Sequence, residues 1–344
     1  MTIPASQKLE TETSQGLFTN LQKGYHGYFG ARIGGRVAWS ERIELTGAEG
    51  EPVDFLRTMR SHGVADLPPM FATESPPRLE TTLPVGGGAR RVVVESAGRR
   101  AVLVTASGRV GAATGSSIVD GVRHILRLDA DLSAFYKVCE LDPELAWACA
   151  GAGRMMRSPT VFEDVVKTIC TTNCAWSATE RMVGALVEHL GARAPGAPKE
   201  GVRGRAFPTP EAMAAADEDF YRSTVRAGYR GAYLRSLAMS VADGRIDVEA
   251  LAAADMTDDE VEAQLLALPG VGPYAAAHVM MMLGRYSRLI LDSWTRPTYA
   301  RLAGYRKVKD STIARRWRRY GEFAGLAFWL YLTRGWVEEN RKQG

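Results

Sequence analysis

Leu265-Leu-Ala-Leu-Pro-Gly-Val-Gly-Pro-Tyr-Ala-Ala-Ala-His-Val-Met-Met-Met-Leu-Gly-Arg-Tyr-Ser-Arg-Leu-Ile-Leu-Asp-Ser-Trp294 is the stretch whose reading decides the fold. It reads as the end of one helix, a tight glycine hairpin, a second helix, and a single acid delivered behind an apolar run. Leu265, Leu266 and Leu268 close the first helix, which Pro269 cannot extend. Gly270 and Gly272 supply backbone freedom on either side of Val271. Gly272-Pro273 opens the second helix, with Pro273 suited to its first turn. Successive N–H groups at such a turn point outward and favour an anion such as a phosphate. Asp292 follows Gly272 by twenty residues, behind Leu289-Ile-Leu291.

Each piece alone has a plainer reading, since such a turn can be a connector and such an acid a helix cap. The combination is more specific. It resembles the helix-hairpin-helix plus Gly/Pro-Asp signature of the base-excision DNA glycosylases, the superfamily that includes AlkA-type alkyl-base enzymes, MutY and the 8-oxoguanine glycosylases. The resemblance implies that Leu268, Gly270, Val271 and Gly272, with Arg296 beyond the acid, contact DNA. It also puts Asp292 in the catalytic slot, and a monovalent cation at the hairpin is compatible with it.

The chemistry suits one carboxylate. Breaking an N-glycosidic bond builds positive charge on the sugar, which a nearby acid stabilises while orienting an attacking water. The base must first leave the stack, which calls for a pocket with π-faces and a residue to occupy the gap. Neither step requires a metal. Bifunctional relatives carry a nucleophilic Lys two residues after the second hairpin Gly; here that position is Tyr274. The resemblance therefore implies a monofunctional enzyme without abasic-site lyase activity. AlkA-like enzymes carry an aromatic there, whose face favours a cationic alkylated base such as 3-methyladenine. Trp176 and Trp294 are further pocket candidates, each equally readable as core.

A second segment carries the resemblance. Phe162-Glu163 through Asn173 is similar to the part of 8-oxoguanine glycosylases where an Asn fills the hole left by the base, so Asn173 is the candidate gap filler. The plainer reading is a helix-capping Asn. This segment keeps an oxidised-purine substrate open as the alternative, and a non-catalytic lesion sensor is the alternative from another class. Gly228-Tyr-Arg-Gly-Ala-Tyr233-Leu is also like the AlkA pattern before the hairpin, with Arg226 and Arg230 read as phosphate contacts or solvated charges.

Composition sets the frame. With 344 residues, 46% of them hydrophobic and 24% charged, the chain has room for two or three soluble domains. No apolar run approaches a membrane span and the start lacks a secretory apolar core, which together suggest an intracellular setting. The resemblance then implies a cytoplasmic, nucleoid-associated monomer acting on damaged double-stranded DNA. From Ser293 onward twelve Lys/Arg face four Asp/Glu, a balance of +8 in a chain of net +4. Arg301, Arg306, Lys307, Lys309, Arg315, Arg316, Arg318 and Arg319 are its densest part, readable as a solvated face or a nucleic-acid surface. Cys139, Cys149, Cys170 and Cys174 show no Cys-x-x-Cys spacing and none follows Cys174. The iron–sulfur loop of MutY-like relatives is accordingly not expected, no other cofactor is, and the thiols read as structural.

The expected architecture is α+β. Residues 1–15 are polar and read as a flexible start. Residues 16–125 read as a small antiparallel sheet with a helix, on Arg78–Leu83, Arg91–Glu95 and Ala101–Thr105, with Gly86-Gly-Gly88 as a hairpin. Phe55, Leu56 and Met59 mark a helical face before His62, which has no ligand-spaced partners. Residues 126–344 read as a helical domain, with Asp131 and Ser158 as helix caps, a loop at 195–210, and an apolar closing helix through Phe328 and Trp329.

Overall fold

The computed structural model describes residues 39–253 and 255–337. The polar start, the aromatic and glycine-rich stretch after it, and the last residues of the basic tail lie outside them.

The sheet has five antiparallel strands: β1 (Trp39–Glu44), β2 (Phe71–Glu74), β3 (Pro77–Val85), β4 (Gly88–Ser96) and β5 (Ala101–Ala106), in the order β1-β5-β4-β3-β2. The β3–β4 hairpin turns where the glycine run predicts. Val85 pairs with Gly88, and Gly86 and Gly87 both take positive φ (58° and 73°), the two-residue turn that follows strand twist. β2 is an element the sequence reading does not contain. Its four residues show no apolar alternation, and it exists through pairing with β3.

One sheet face packs under α1 (Phe55–Met59) and α2 (Ala112–Ile125), burying Leu83, Val92, Val94 and Val104 against Met59, Ile118 and Val122. The other face is covered too. The loop predicted at 195–210 lies on it: Ala194 and Ala206 pack on Ala89, and Arg203 reaches Glu80 at 3.1 Å. Glu80, almost fully buried, also takes both donors of Arg91 at 2.8 Å. Two covered faces explain why Val92-Val-Val94 is apolar without alternation.

The rest is helical: α3 (Ser133–Glu140), α4 (Val161–Thr171), α5 (Trp176–Leu190), α6 (Pro210–Ala215), α7 (Arg230–Ala242), α8 (Asp258–Leu266), α9 (Pro273–Leu283), α10 (Thr295–Leu302), α11 (Asp310–Trp317) and α12 (Ala324–Thr333). The N-cap of α3 is Leu132 and not Asp131, which stands one residue earlier and accepts from the N–H of Ser133 at 2.7 Å. The cap of α4 is Thr160, which accepts from Glu163 N–H, and not Ser158, whose own buried N–H donates to Asp164. Glu51 and the fully buried Arg154 meet at 2.7 Å, and Glu51 also accepts from Leu132 N–H, tying the segment before α1 to the start of α3.

Helix α9 organises this half. It is apolar on every side, as a helix buried all round must be. Ala275, Ala276, Val279 and Met280 join a core built from α4, α5, α7 and α8, while Ala277 and Met281 join a second core built from α3, α10, α11 and α12. Its N-terminus therefore sits on the seam between two helical cores. Tyr274 packs against both.

Candidate active site

The hairpin joins α8 to α9 at that seam. Gly270 has φ +80°, and a Cβ there would come within 2.8 Å of the Tyr233 ring, so both backbone and space demand glycine. Gly272 differs from the sequence reading. Its φ of −105° is open to any residue, and a Cβ would meet nothing within 4 Å. What Gly272 contributes is a bare outer surface at the N-cap of α9. The side chains of Leu268 and Val271 turn into the core, and Gly270 and Gly272 offer only backbone to the outside. Among the described residues none accepts a hydrogen bond from the N–H groups of Gly270 and Gly272. Unpaired donors at a helix N-terminus are groups that favour a nearby anion.

Asp292 precedes α10 and caps it. Its Oδ1 accepts from the N–H groups of Trp294 (2.8 Å) and Thr295 (2.6 Å), and its own N–H donates to Thr295 Oγ1 at 2.8 Å. The helix-cap reading and the catalytic reading thus describe the same half-buried side chain. Oδ2 has no hydrogen-bond partner among the described residues. Tyr274 lies close enough to feel its charge. Burial pushes the Tyr274 phenol up, the nearby Thr171 hydroxyl acts the other way, and the Asp292 carboxylate adds a smaller upward push.

Behind Tyr274 runs a chain of rings. His278 is 5.3 Å from Tyr274 between centroids, Trp329 is 5.7 Å from His278, and Trp294 is 5.8 Å from Trp329. Trp336 closes on Trp294 at 5.5 Å, and His62 stands edge-on to His278 at 6.2 Å. Tyr274, His278, Asp292, Trp294 and Trp336 all keep accessible surface. Trp294 thus joins Tyr274 in the cluster. Trp176 stands on the other helical core, against Gly63, where a Cβ would come within 2.5 Å of its ring. Phe328 is wholly buried against Tyr299 and Trp317 and belongs to the core, whereas Trp329 belongs to the cluster. The sequence reading missed His278. The signal was present, because a histidine at i+4 from Tyr274 shares its helix face in an otherwise apolar segment.

Asn173 lies within the α4–α5 connection, exposed and with φ +49°, and its Nδ2 donates to the Tyr229 hydroxyl at 3.3 Å. Tyr229 is 55% exposed and Tyr233 40%, the two rings 6.0 Å apart, so this edge leads back to Gly270. Arg230, read as a phosphate contact or a solvated charge, is neither. It is buried and donates to Thr172 O. Arg226 remains exposed.

The basic tail divides in two. Arg296 forms a two-pronged pair with Asp310 (2.8 and 2.9 Å), Arg316 pairs with Glu144 (2.6 Å) and Arg319 with Asp142 (2.7 Å). Arg301, Arg306, Lys307, Lys309, Arg315 and Arg318 are exposed, with no ion pair among the described residues. All four cysteines are free thiols, and no three His, Cys, Asp or Glu side chains among the described residues are grouped to hold a metal. A groove of about 440 Å³ between β1 and α2 is lined by none of the predicted site residues.

No family model and no curated protein matches this chain. Solved structures do. The 3-methyladenine DNA glycosylase from Archaeoglobus fulgidus superposes with a TM-score of 0.65 at 20% identity, over 85% of this chain and 98% of that one. MBOgg1, solved with a low-affinity DNA ligand, gives 0.67 at 19%, over 86% and 96%. The apo 8-oxoguanine glycosylase/lyase of Clostridium acetobutylicum gives 0.66 at 18%, over 85% and 95%. Identities this low speak for architecture alone: the chain has the α+β fold of the helix-hairpin-helix DNA glycosylases.

Proposed function

We propose that this protein is a monofunctional DNA glycosylase that extrudes an N-alkylated purine, such as 3-methyladenine, from duplex DNA and hydrolyses its glycosidic bond. The observation that carries the reading is Asp292. One of its oxygens is committed to the N-terminus of α10, the other has no hydrogen-bond partner among the described residues, and Tyr274 is near enough to feel its charge.

The hairpin donors grip a phosphate, and the exposed cations from Arg301 to Arg318 extend the electrostatic footprint. Asn173 and its partner Tyr229 enter the duplex where the base has left. The base stacks among Tyr274, Trp294 and Trp329. Positive charge builds on the sugar as the C1′–N bond breaks, and Asp292 stabilises it and orients water toward the same carbon. A cationic base is already a good leaving group and is drawn to aromatic faces, which favours alkylated purines. With Tyr274 where a nucleophilic amine would stand, the product is an abasic site and free base. No group in this scheme is a bound metal or cofactor.

Asn173 supports a second reading, an oxidised purine as substrate, because its positive-φ, exposed placement suits a residue that replaces such a base. A panel of duplexes carrying 3-methyladenine, 7-methylguanine or 8-oxoguanine tests both. Release of alkylated base that vanishes in Asp292→Asn supports the first, preference for 8-oxoguanine the second. Tight lesion binding with no release from any duplex would make the protein a lesion sensor.

A further inference from the structure

Among the described residues, one buried polar atom in the ring cluster is left without a partner. His62 has both nitrogens committed: Nδ1 accepts from Val64 N–H at 3.4 Å, and Nε2 meets the Met156 carbonyl at 2.5 Å. With Nδ1 an acceptor, the proton sits on Nε2 and is donated to that carbonyl. His62 therefore offers His278 neither an N–H nor a free lone pair. The Trp329 indole N–H is donated to Ser61 O at 2.7 Å. His278 is what remains. Its Nδ1 is buried with no hydrogen-bond partner among the described residues, and its ring forms no other hydrogen bond with them. The residue as a whole nonetheless keeps accessible surface.

A buried polar atom without a partner destabilises a fold, and every neighbour on this helix from Ala275 to Met282 is apolar. An imidazole at the centre of such a cluster makes sense if a ligand completes its hydrogen bonding. We infer that His278 is a specificity-determining residue whose imidazole hydrogen-bonds the edge of a purine base stacked among Tyr274, Trp294 and Trp329. The inference rests on the glycosylase reading and deepens it by naming the group that reads the base. Burial pushes the His278 pKa down to about 4, so the ring is neutral at physiological pH. It presents one donor and one acceptor and no charge that would repel an alkylated, cationic purine.

The test uses free 3-methyladenine, followed by quenching of tryptophan fluorescence, alongside a duplex carrying a tetrahydrofuran abasic-site analogue, which presents no base. His278→Phe keeps a ring and removes both nitrogens, and His278→Asn retains a donor and an acceptor. His278→Phe should bind the free base about tenfold more weakly, the loss of one good hydrogen bond. Its affinity for the abasic duplex should be unchanged, and His278→Asn should recover part of the loss. On lesion duplexes His278→Phe should also change the ratio of 3-methyladenine to 7-methylguanine release, which a purely structural role would leave alone.

Equal base binding and an unchanged lesion ratio in His278→Phe overturn the inference and leave the glycosylase reading standing. Parallel loss of abasic-duplex affinity overturns it as well, by making the effect structural. A wild-type protein that neither binds free base nor releases it from any duplex overturns both.

Discussion

Asp292 and Thr295 hold each other: Thr295 N–H donates to Asp292 Oδ1 at 2.6 Å, and Asp292 N–H donates to Thr295 Oγ1 at 2.8 Å. This reciprocal cap fixes the carboxylate by one oxygen and leaves the other for chemistry. Asp292→Asn keeps an acceptor at the Oδ1 position, so thermal unfolding should change by less than about 1 kcal/mol while base release is lost. Asp292→Ala removes the cap as well and should cost about 1 kcal/mol in addition. Base release in Asp292→Asn at the wild-type rate would falsify the catalytic assignment.

Tyr274 stands where the bifunctional relatives of the resemblance carry lysine. Incubation with a lesion duplex and borohydride should trap no covalent protein–DNA adduct, and the product strand should break only after alkaline treatment. A trapped adduct would point to an amine elsewhere in the chain. Tyr274→Phe removes the hydroxyl and keeps the ring. It should change stability by about 1 kcal/mol or less and retain base release.

The two hairpin glycines should respond differently. In Gly270→Ala the new Cβ meets the Tyr233 ring at 2.8 Å, in a left-handed backbone conformation. Unfolding should show a loss of about 1 kcal/mol or more. Gly272→Ala meets open space with φ of −105°, so stability should stay within about 0.5 kcal/mol of wild type. If the bare backbone there grips a phosphate, Gly272→Ala should still weaken DNA binding. Equal stability losses in the two variants would contradict the observed geometry.

Acid should act through buried histidines. Burial lowers His62 to a pKa of about 3 and His278 to about 4, against about 6.5 unfolded. A lowered folded-state pKa means the unfolded chain binds protons first, so this stability is present above pH 6.5 and is lost as pH falls toward those values. Each histidine should contribute a loss of roughly 2 kcal/mol by pH 5. Asp164 runs the other way. Burial raises its pKa to about 6, so the fold gains from its protonation as pH falls through 6. The clean readout is therefore a difference: between pH 7 and pH 5, His278→Phe should lose roughly 2 kcal/mol less than wild type in denaturant unfolding. Parallel pH profiles would mean that His278 is not held neutral by burial.

The sheet side shows how far sequence patterning reaches. The β3–β4 hairpin was legible because Gly86 and Gly87 adopt the positive φ that the turn demands. β2 was not, since its strand identity comes from β3, and neither was the docking of the 195–210 loop onto Glu80 and Ala89. Arg230 and Arg296 carry the same lesson for charge. Both look available in the sequence, and Thr172 and Asp310 occupy them in the fold.

By itself the sequence determined the hairpin, the two helices it joins and the capping acid that follows, because glycine and proline stereochemistry and helix ends act within a few residues. It also placed Tyr274 in the first turn of α9 and His278 one turn later on the same face. Only the tertiary structure decided that Trp294, Trp329, Trp336 and His62 converge on those two residues, that Trp176 stands on the other core, and that His278 is the imidazole left unpaired. Those relations depend on α9 being buried between two helical cores. That is packing between distant segments, and no local pattern of residues encodes it.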